Sequence, residues 1–283
     1  MTGRPLSRRH TIKGAVGAAA VLTVAPGTGA PPAAASDGSG AEAAGAVKAS
    51  VVLVHGAFAD AASWNPVTER LQHQGHPVIV AANPLRGLTH DAAQVAARLA
   101  TVPGPVVLVG HSYGGAVITQ AAATAPHVKA LVYIAAFIPD TGEVLGELAA
   151  RFPGSQLDAA LTPVPVPGPD GATATDLYLR PDRYHDVFAQ DVARPTTRVL
   201  AAGQRPLSAS AFTDRVSGAA WHTVPSWTLI STRDRGIVPE LQRFQAVRAR
   251  SRTIEVPTSH LPMYSRPDAV AALIRSASRT VHP

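Results

Sequence analysis

The chain has 283 residues, 46% hydrophobic and 16% charged, a balance that folds rather than one that stays disordered. It has no cysteine, which excludes disulfide staples, a thiol nucleophile and any thiolate metal site. Twenty-five basic against 19 acidic residues give +6, which by itself suggests an anionic partner such as nucleic acid, but most of the excess sits at the N-terminus.

Arg8-Arg9 precede a short Ala, Gly and Val stretch over residues 14–24, and small residues follow as far as Ala33-Ala34-Ala35. A basic segment, a short apolar run and a small-residue cleavage site make an export signal over residues 1–35. The paired arginines resemble a twin-arginine address, which implies a secreted protein. Cleavage after Ala35 removes Arg4, Arg8, Arg9 and Lys13 and no acid, leaving 21 basic against 19 acidic residues. The mature form is therefore expected to engage neither nucleic acid nor a membrane. Residues 36–47 are small and polar and read as a flexible leader to one domain over residues 48–283.

Along that domain apolar runs alternate with helical patterns. Strands are expected at Ser50–Val54, Pro77–Ala82, Pro105–Val109 and Val128–Ala136, with helices over Trp64–Gln74, Leu88–Ala100 and Gly114–Thr124 between them. Later come strands Ser226–Ser231 and Arg252–Val256, separated by a helix over Pro239–Arg248 and followed by a helix over Arg266–Ala277. Strands apolar throughout suit a mostly parallel sheet with helices on both faces, an α/β fold. The alternation breaks between about residues 140 and 224, where a proline-rich piece and scattered aromatics read as a cap inserted at the carboxyl ends of the strands. In that stretch Arg180, Asp182, Tyr184 and His185 read as a solvated polar cluster. Arg243, Arg248, Arg250 and Arg252 read as a solvated face.

Gly110-His111-Ser112-Tyr113-Gly114 lies between an apolar strand and a helix of small residues. In this G-x-S-x-G pattern the serine occupies a tight, strained turn, so its neighbours must be small, and the helix N-terminus offers free N–H groups to an oxyanion. A neutral hydroxyl needs a base, and the base needs an orienting carboxylate. Asp234 and His260 each follow a predicted strand, in that order, where catalytic groups of open α/β sheets gather. After the first strand comes His55-Gly56-Ala57, where Gly56 permits close approach to substrate and the N–H groups of Ala57 and Tyr113 are the candidate oxyanion donors. His55 reads as a structural histidine. Phe58, His111 and Leu261 are candidates to line the substrate pocket, and Met263 and Tyr264 to pack behind His260. His73 and His76 flank Gly75 without a third ligand, so neither a metal nor any other cofactor is expected.

The pieces VVLVHGAF, VVLVGHSYGG, LVYIAAFIPDTGE, SWTLISTRDRGIVPELQ and SHLPMYSRPDAVAALI resemble the α/β-hydrolase superfamily. Within it, the chain resembles bacterial relatives of plant methylesterases and hydroxynitrile lyases. The resemblance implies Ser112 as nucleophile, Asp234 as acid, His260 as base, and a small-molecule carboxylic ester as substrate. The lyase branch carries a lysine after the catalytic histidine and a threonine after the loop histidine; here Leu261 and Gly56 stand there, which favours hydrolysis. The alternatives are a lyase or other non-hydrolytic enzyme on the same three residues, or a non-catalytic small-molecule receptor.

Overall fold

The structure is a computed structural model and describes residues 48–168 and 171–281; the expected export signal and the leader lie outside them. Six parallel strands form the central sheet: β1 (Ser50–Val54), β2 (Val78–Ala81), β3 (Val106–His111), β4 (Val128–Ile134), β8 (Ser226–Ser231) and β9 (Arg252–Val256), in the order β2-β1-β3-β4-β8-β9. Every residue of β3 is buried, as an apolar central strand covered on both sides requires. Each fully buried Val or Leu there contributes roughly 1.5–3 kcal/mol relative to exposure.

The connecting helices are α1 (Asn65–His73), α2 (Leu88–Leu99), α3 (Tyr113–Ala121), α7 (Pro239–Arg248) and α9 (Pro267–Ser278). Right-handed crossovers place α1 on one face of the sheet and α2, α3 and α7 on the other. The contacts of α1 with α9 and of α2 with α3 agree with this arrangement. The whole of α3 is buried, which explains its small residues. From β1 the chain runs outward to β2, and from β3 it runs the other way to β4. The carboxyl ends of β1 and β3 therefore flank the switch point, where open α/β sheets place their ligands.

Between β4 and β8 the chain leaves this sheet. It forms α4 (Leu145–Ala150), a small antiparallel sheet of β5 (Leu161–Pro167), β6 (Thr173–Leu179) and β7 (Leu207–Ser208), and the helices α5 (Pro181–Phe188) and α6 (Arg194–Ala202). The proline-rich piece, for which the sequence predicts no element, supplies most of strand β5. Its prolines at 163, 165 and 167 alternate with Val164 and Val166 on an edge strand, so one spacing of two turns every missing N–H the same way, off the ladder. Of the arginines expected on a solvated face, Arg250 and Arg252 are exposed and the Arg243 side chain is 42% exposed, but the Arg248 side chain is 22% exposed, donates to Glu143 and to the Ile138 carbonyl, and stacks over Trp221. Among the described residues no helix is long and apolar enough to cross a membrane. A last short helix, α8 (Pro262–Ser265), follows β9.

Candidate active site

Ser112 sits between β3 and α3 at φ 53° and ψ −125°, a left-handed conformation that costs a non-glycine residue about 1–3 kcal/mol. Phe58 and Ala135, just past β1 and β4, also have positive φ, so three neighbouring strand ends carry strain at one rim. Glycine is required here by space. A Cβ on Gly110 would lie 2.5 Å from the Gly114 carbonyl oxygen, and one on Gly114 2.6 Å from that of Val54. Gly56 is expected to admit substrate, but its nearest neighbour is the turn itself: a Cβ there would lie 2.7 Å from the Ser112 Cβ. The missing side chain lets the loop after β1 close on the serine.

The structure brings Ser112, His260 and Asp234 together. His260 Nε2 lies 2.7 Å from Ser112 Oγ, and its Nδ1 2.6 Å from Asp234 Oδ2. Because the carboxylate only accepts, Nδ1 carries the proton and Nε2 is free to accept from the serine hydroxyl. Asp234 follows β8 and is held by four donors. The Gly236 and Ile237 N–H groups donate to Oδ1 at 2.7 and 3.1 Å, and Gln242 Nε2 joins the histidine on Oδ2 at 2.9 Å. All three side chains are buried; Ser112, the most open, is 6% exposed.

His260 must reach back from β9 across β8 and β4 to meet the serine. Two ties hold its loop. His111 Nε2 donates to the His260 carbonyl at 2.8 Å. Asp191, from the segment after α5, accepts from the Ser259 N–H at 2.9 Å and from the Ser259 hydroxyl. Burial holds His111 well below the ordinary histidine range and His260 adds to this, so the ring is neutral with its proton on Nε2.

The Tyr113 N–H directly follows the serine and the Ala57 N–H follows Gly56 on the loop that closes on it; among the described residues neither donates to a backbone carbonyl. Tyr113 donates its hydroxyl to Asp91 Oδ2 at 2.7 Å, which ties the serine turn to α2. Burial, with Asp91 next, raises the Tyr113 phenol far above its ordinary value; burial likewise raises the Asp91 carboxyl. His55 is the loop-shaping residue expected. Asn83 donates its backbone N–H to Nε2 at 3.3 Å and its side-chain amide to the His55 carbonyl at 2.9 Å, so Nδ1 carries the proton and donates to the Gly56 carbonyl at 2.9 Å.

Of the three pocket candidates Leu261 lines a cavity of about 150 Å³, bounded also by Ala59, Asp60, Tyr184, Val199 and Tyr264. Phe58 and His111 are buried: Phe58 lies edge-on to Phe188, and His111 lies between Trp64 and His260. Tyr264 lines the cavity rather than only backing His260, while Met263 is fully buried. Tyr184 is no part of a solvated cluster; it is 2% exposed and donates its hydroxyl to the Phe58 carbonyl at 3.2 Å.

Three residues not singled out in the sequence shape the site. Phe188 covers the His260 ring at 4.3 Å between centroids, and Asp191 and Gln242 act as described. Gln242 had a signal: Leu241, Gln242, Gln245 and Ala246 form the buried stripe of α7, and an amide on the inward face of a helix needs a polar partner.

A family model described as "Alpha/beta hydrolase family" matches residues 51–273. A carbendazim hydrolyzing esterase of Nocardioides sp. (strain SG-4G) is 33% identical over 135 residues, which is 40% of this chain and 56% of the relative. The match thus spans little more than half that relative's length. Among solved structures, polyneuridine aldehyde esterase superposes with a TM-score of 0.73 at 20% identity, covering 82% of this chain and 99% of that one. The methylesterase MES16 from Arabidopsis gives 0.68 at 18% identity, covering 82% and 100%. At these identities the structures speak to the fold, which is the α/β-hydrolase fold.

Proposed function

The chain belongs to the alpha/beta hydrolase family, and from that premise we propose that it is a serine esterase acting on carboxylic esters of small molecules through an acyl-enzyme on Ser112. The observation that carries this reading is the chain of contacts from Ser112 Oγ through His260 to Asp234, at 2.7 and 2.6 Å. The esterase name of the Nocardioides relative supports the same class of reaction.

In this mechanism the Ser112 oxygen attacks the ester carbonyl carbon while its proton passes to His260 Nε2. Asp234 faces the resulting imidazolium, and the Ala57 and Tyr113 N–H groups hold the oxyanion. The tetrahedral adduct collapses, the C–O bond to the alcohol breaks, and the alcohol leaves with the proton from Nε2. Water then gives a proton to His260, attacks the acyl carbon and releases the acid, and Nε2 returns the proton to Ser112. Leu261 beside the base is apolar and 1% exposed; it supplies no cation for a departing cyanide, which favours hydrolysis over the lyase alternative. Ser112→Ala should abolish hydrolysis of p-nitrophenyl butyrate while the circular dichroism and melting curve stay native. Undiminished turnover in that variant overturns the proposal.

We also propose that residues 1–35 direct export, on the support of Arg8-Arg9 ahead of the apolar run. A reporter fused behind residues 1–47 should be exported, and should be retained when both arginines become lysine.

A further inference from the structure

The cavity beside the site has one charged group in its lining, Asp60, and no basic one. Its walls come from the core and from the cap. Leu261 directly follows His260, Ala59 lies two residues beyond Ala57, Tyr184 belongs to α5, and Val199 to α6. Leu261 and Ala59 place this space beside the base and beside the loop that carries the Ala57 N–H, which makes it the candidate space for a group attached to an ester held at Ser112. Val199 is 72% exposed, an apolar lip in solvent.

Asp60 serves the backbone with one oxygen only: Oδ1 caps the turn at residues 61–64 by accepting from the Ala62 N–H at 2.9 Å. Among the described residues Oδ2 has no partner. The charge reaches the cavity walls, since it adds to burial in raising the phenols of Tyr184 and Tyr264. A carboxylate in a mostly apolar space repels a second negative charge more strongly than it would in water.

Resting on the esterase reading, we propose that this cavity receives the distal part of the substrate and that Asp60 makes the enzyme selective for esters whose distal group is apolar and uncharged, rejecting those that carry a carboxylate. Asp60 is then a specificity-determining residue that acts by repulsion. The proton and acyl transfers at Ser112 are unchanged by it.

The test uses two pairs of esters matched in length and differing in charge: phenyl hexanoate with monophenyl adipate, and hexyl acetate with 6-acetoxyhexanoate. The first pair places the charge on the acyl side, the second on the alcohol side. In the parent enzyme kcat/KM for the anionic member should be at least tenfold below its neutral partner in one pair or both. Asp60→Asn keeps the acceptor for Ala62 and removes the charge, so it should raise the anionic-to-neutral ratio at least tenfold in that pair. A second measurement needs no variant: the same ratio in the parent should rise as salt increases, because the Debye length falls from about 30 Å at 0.01 M to about 3 Å at 1 M. Equal rates within both pairs, or a ratio unmoved by both the substitution and salt, overturn this inference and leave the role of Ser112 standing. If no member of either pair is hydrolysed the inference also falls, and labelling of Ser112 by a fluorophosphonate then separates the two failures: a labelled serine keeps the esterase reading, an unlabelled one removes it.

Discussion

Replacing Gln242 by leucine tests whether the carboxylate of Asp234 depends on the helix beneath it. The side chain is 1% exposed and makes three contacts. Nε2 donates to Asp234 Oδ2 at 2.9 Å and to the Ile237 carbonyl at 2.7 Å, and Oε1 accepts from the Ser231 N–H at 3.0 Å. Leucine fills similar space but leaves the Ser231 N–H and the Ile237 carbonyl unpaired in buried positions. Each orphaned group costs about 1–3 kcal/mol, so the expected loss is about 2–6 kcal/mol out of a typical 5–15 kcal/mol. Asp234 also loses one of its four donors, a hydrogen bond to a charged group worth about 1.5–3 kcal/mol. If that much is lost in the transition state, kcat falls about tenfold or more. Urea unfolding and steady-state hydrolysis of p-nitrophenyl butyrate read the two effects separately. Gln242→Glu is the companion variant: it keeps an acceptor for Ser231 but sets a second carboxylate against Oδ2, so its defect should shrink as pH falls and the introduced carboxylate takes up a proton. A leucine variant within about 1 kcal/mol of the parent and with full kcat would refute the reasoning.

Gly56→Ala places a methyl group 2.7 Å from the Ser112 Cβ; the loop must retreat and carry the Ala57 N–H with it, so kcat should fall on the order of 10²–10³, the cost of one oxyanion donor, with KM little changed. Phe188→Ala removes a buried ring that lies over His260; differential scanning calorimetry should show a loss of about 3–5 kcal/mol, and the relative kcat/KM of bulky over short esters should rise as the cover opens. Asp91 gives a pH dependence. Its carboxyl is raised from 3.8 by burial, so folding favours its protonated form; that contribution is complete below the unfolded value and is lost as pH rises through the folded one. Asp91→Asn should therefore gain stability relative to the parent as pH rises above 4, and a difference that is flat with pH between 4 and 8 would contradict the assignment.

The central sheet was legible because its signals are local. Ser50–Val54 and Ser226–Ser231 are mostly apolar runs, Arg252–Val256 mixes β-branched with charged residues, and all three fold as strands with the expected limits. The tight turn at Ser112 was legible for the same reason, since its glycines lie within the same five residues. The cap was legible only as an interruption. Strand β5 alternates proline with valine, a pattern that reads as irregular until the partner strand β6 is known. Phe188 and Asp191 were out of reach for a different cause: each acts on a loop met only in the folded chain, 72 and 68 residues away in sequence for His260 and Ser259. Phe58 and His111 lie next to key positions in sequence, but their packing against Phe188 and Trp64 is set by residues far along the chain.

The most direct test of the account is the position of a covalent label. The protein treated with a fluorophosphonate and digested should carry a single stoichiometric adduct on the peptide containing Ser112, and His260→Ala should slow its formation by orders of magnitude. An adduct on another residue, or none on a natively folded protein, would contradict the claim that His260 activates Ser112.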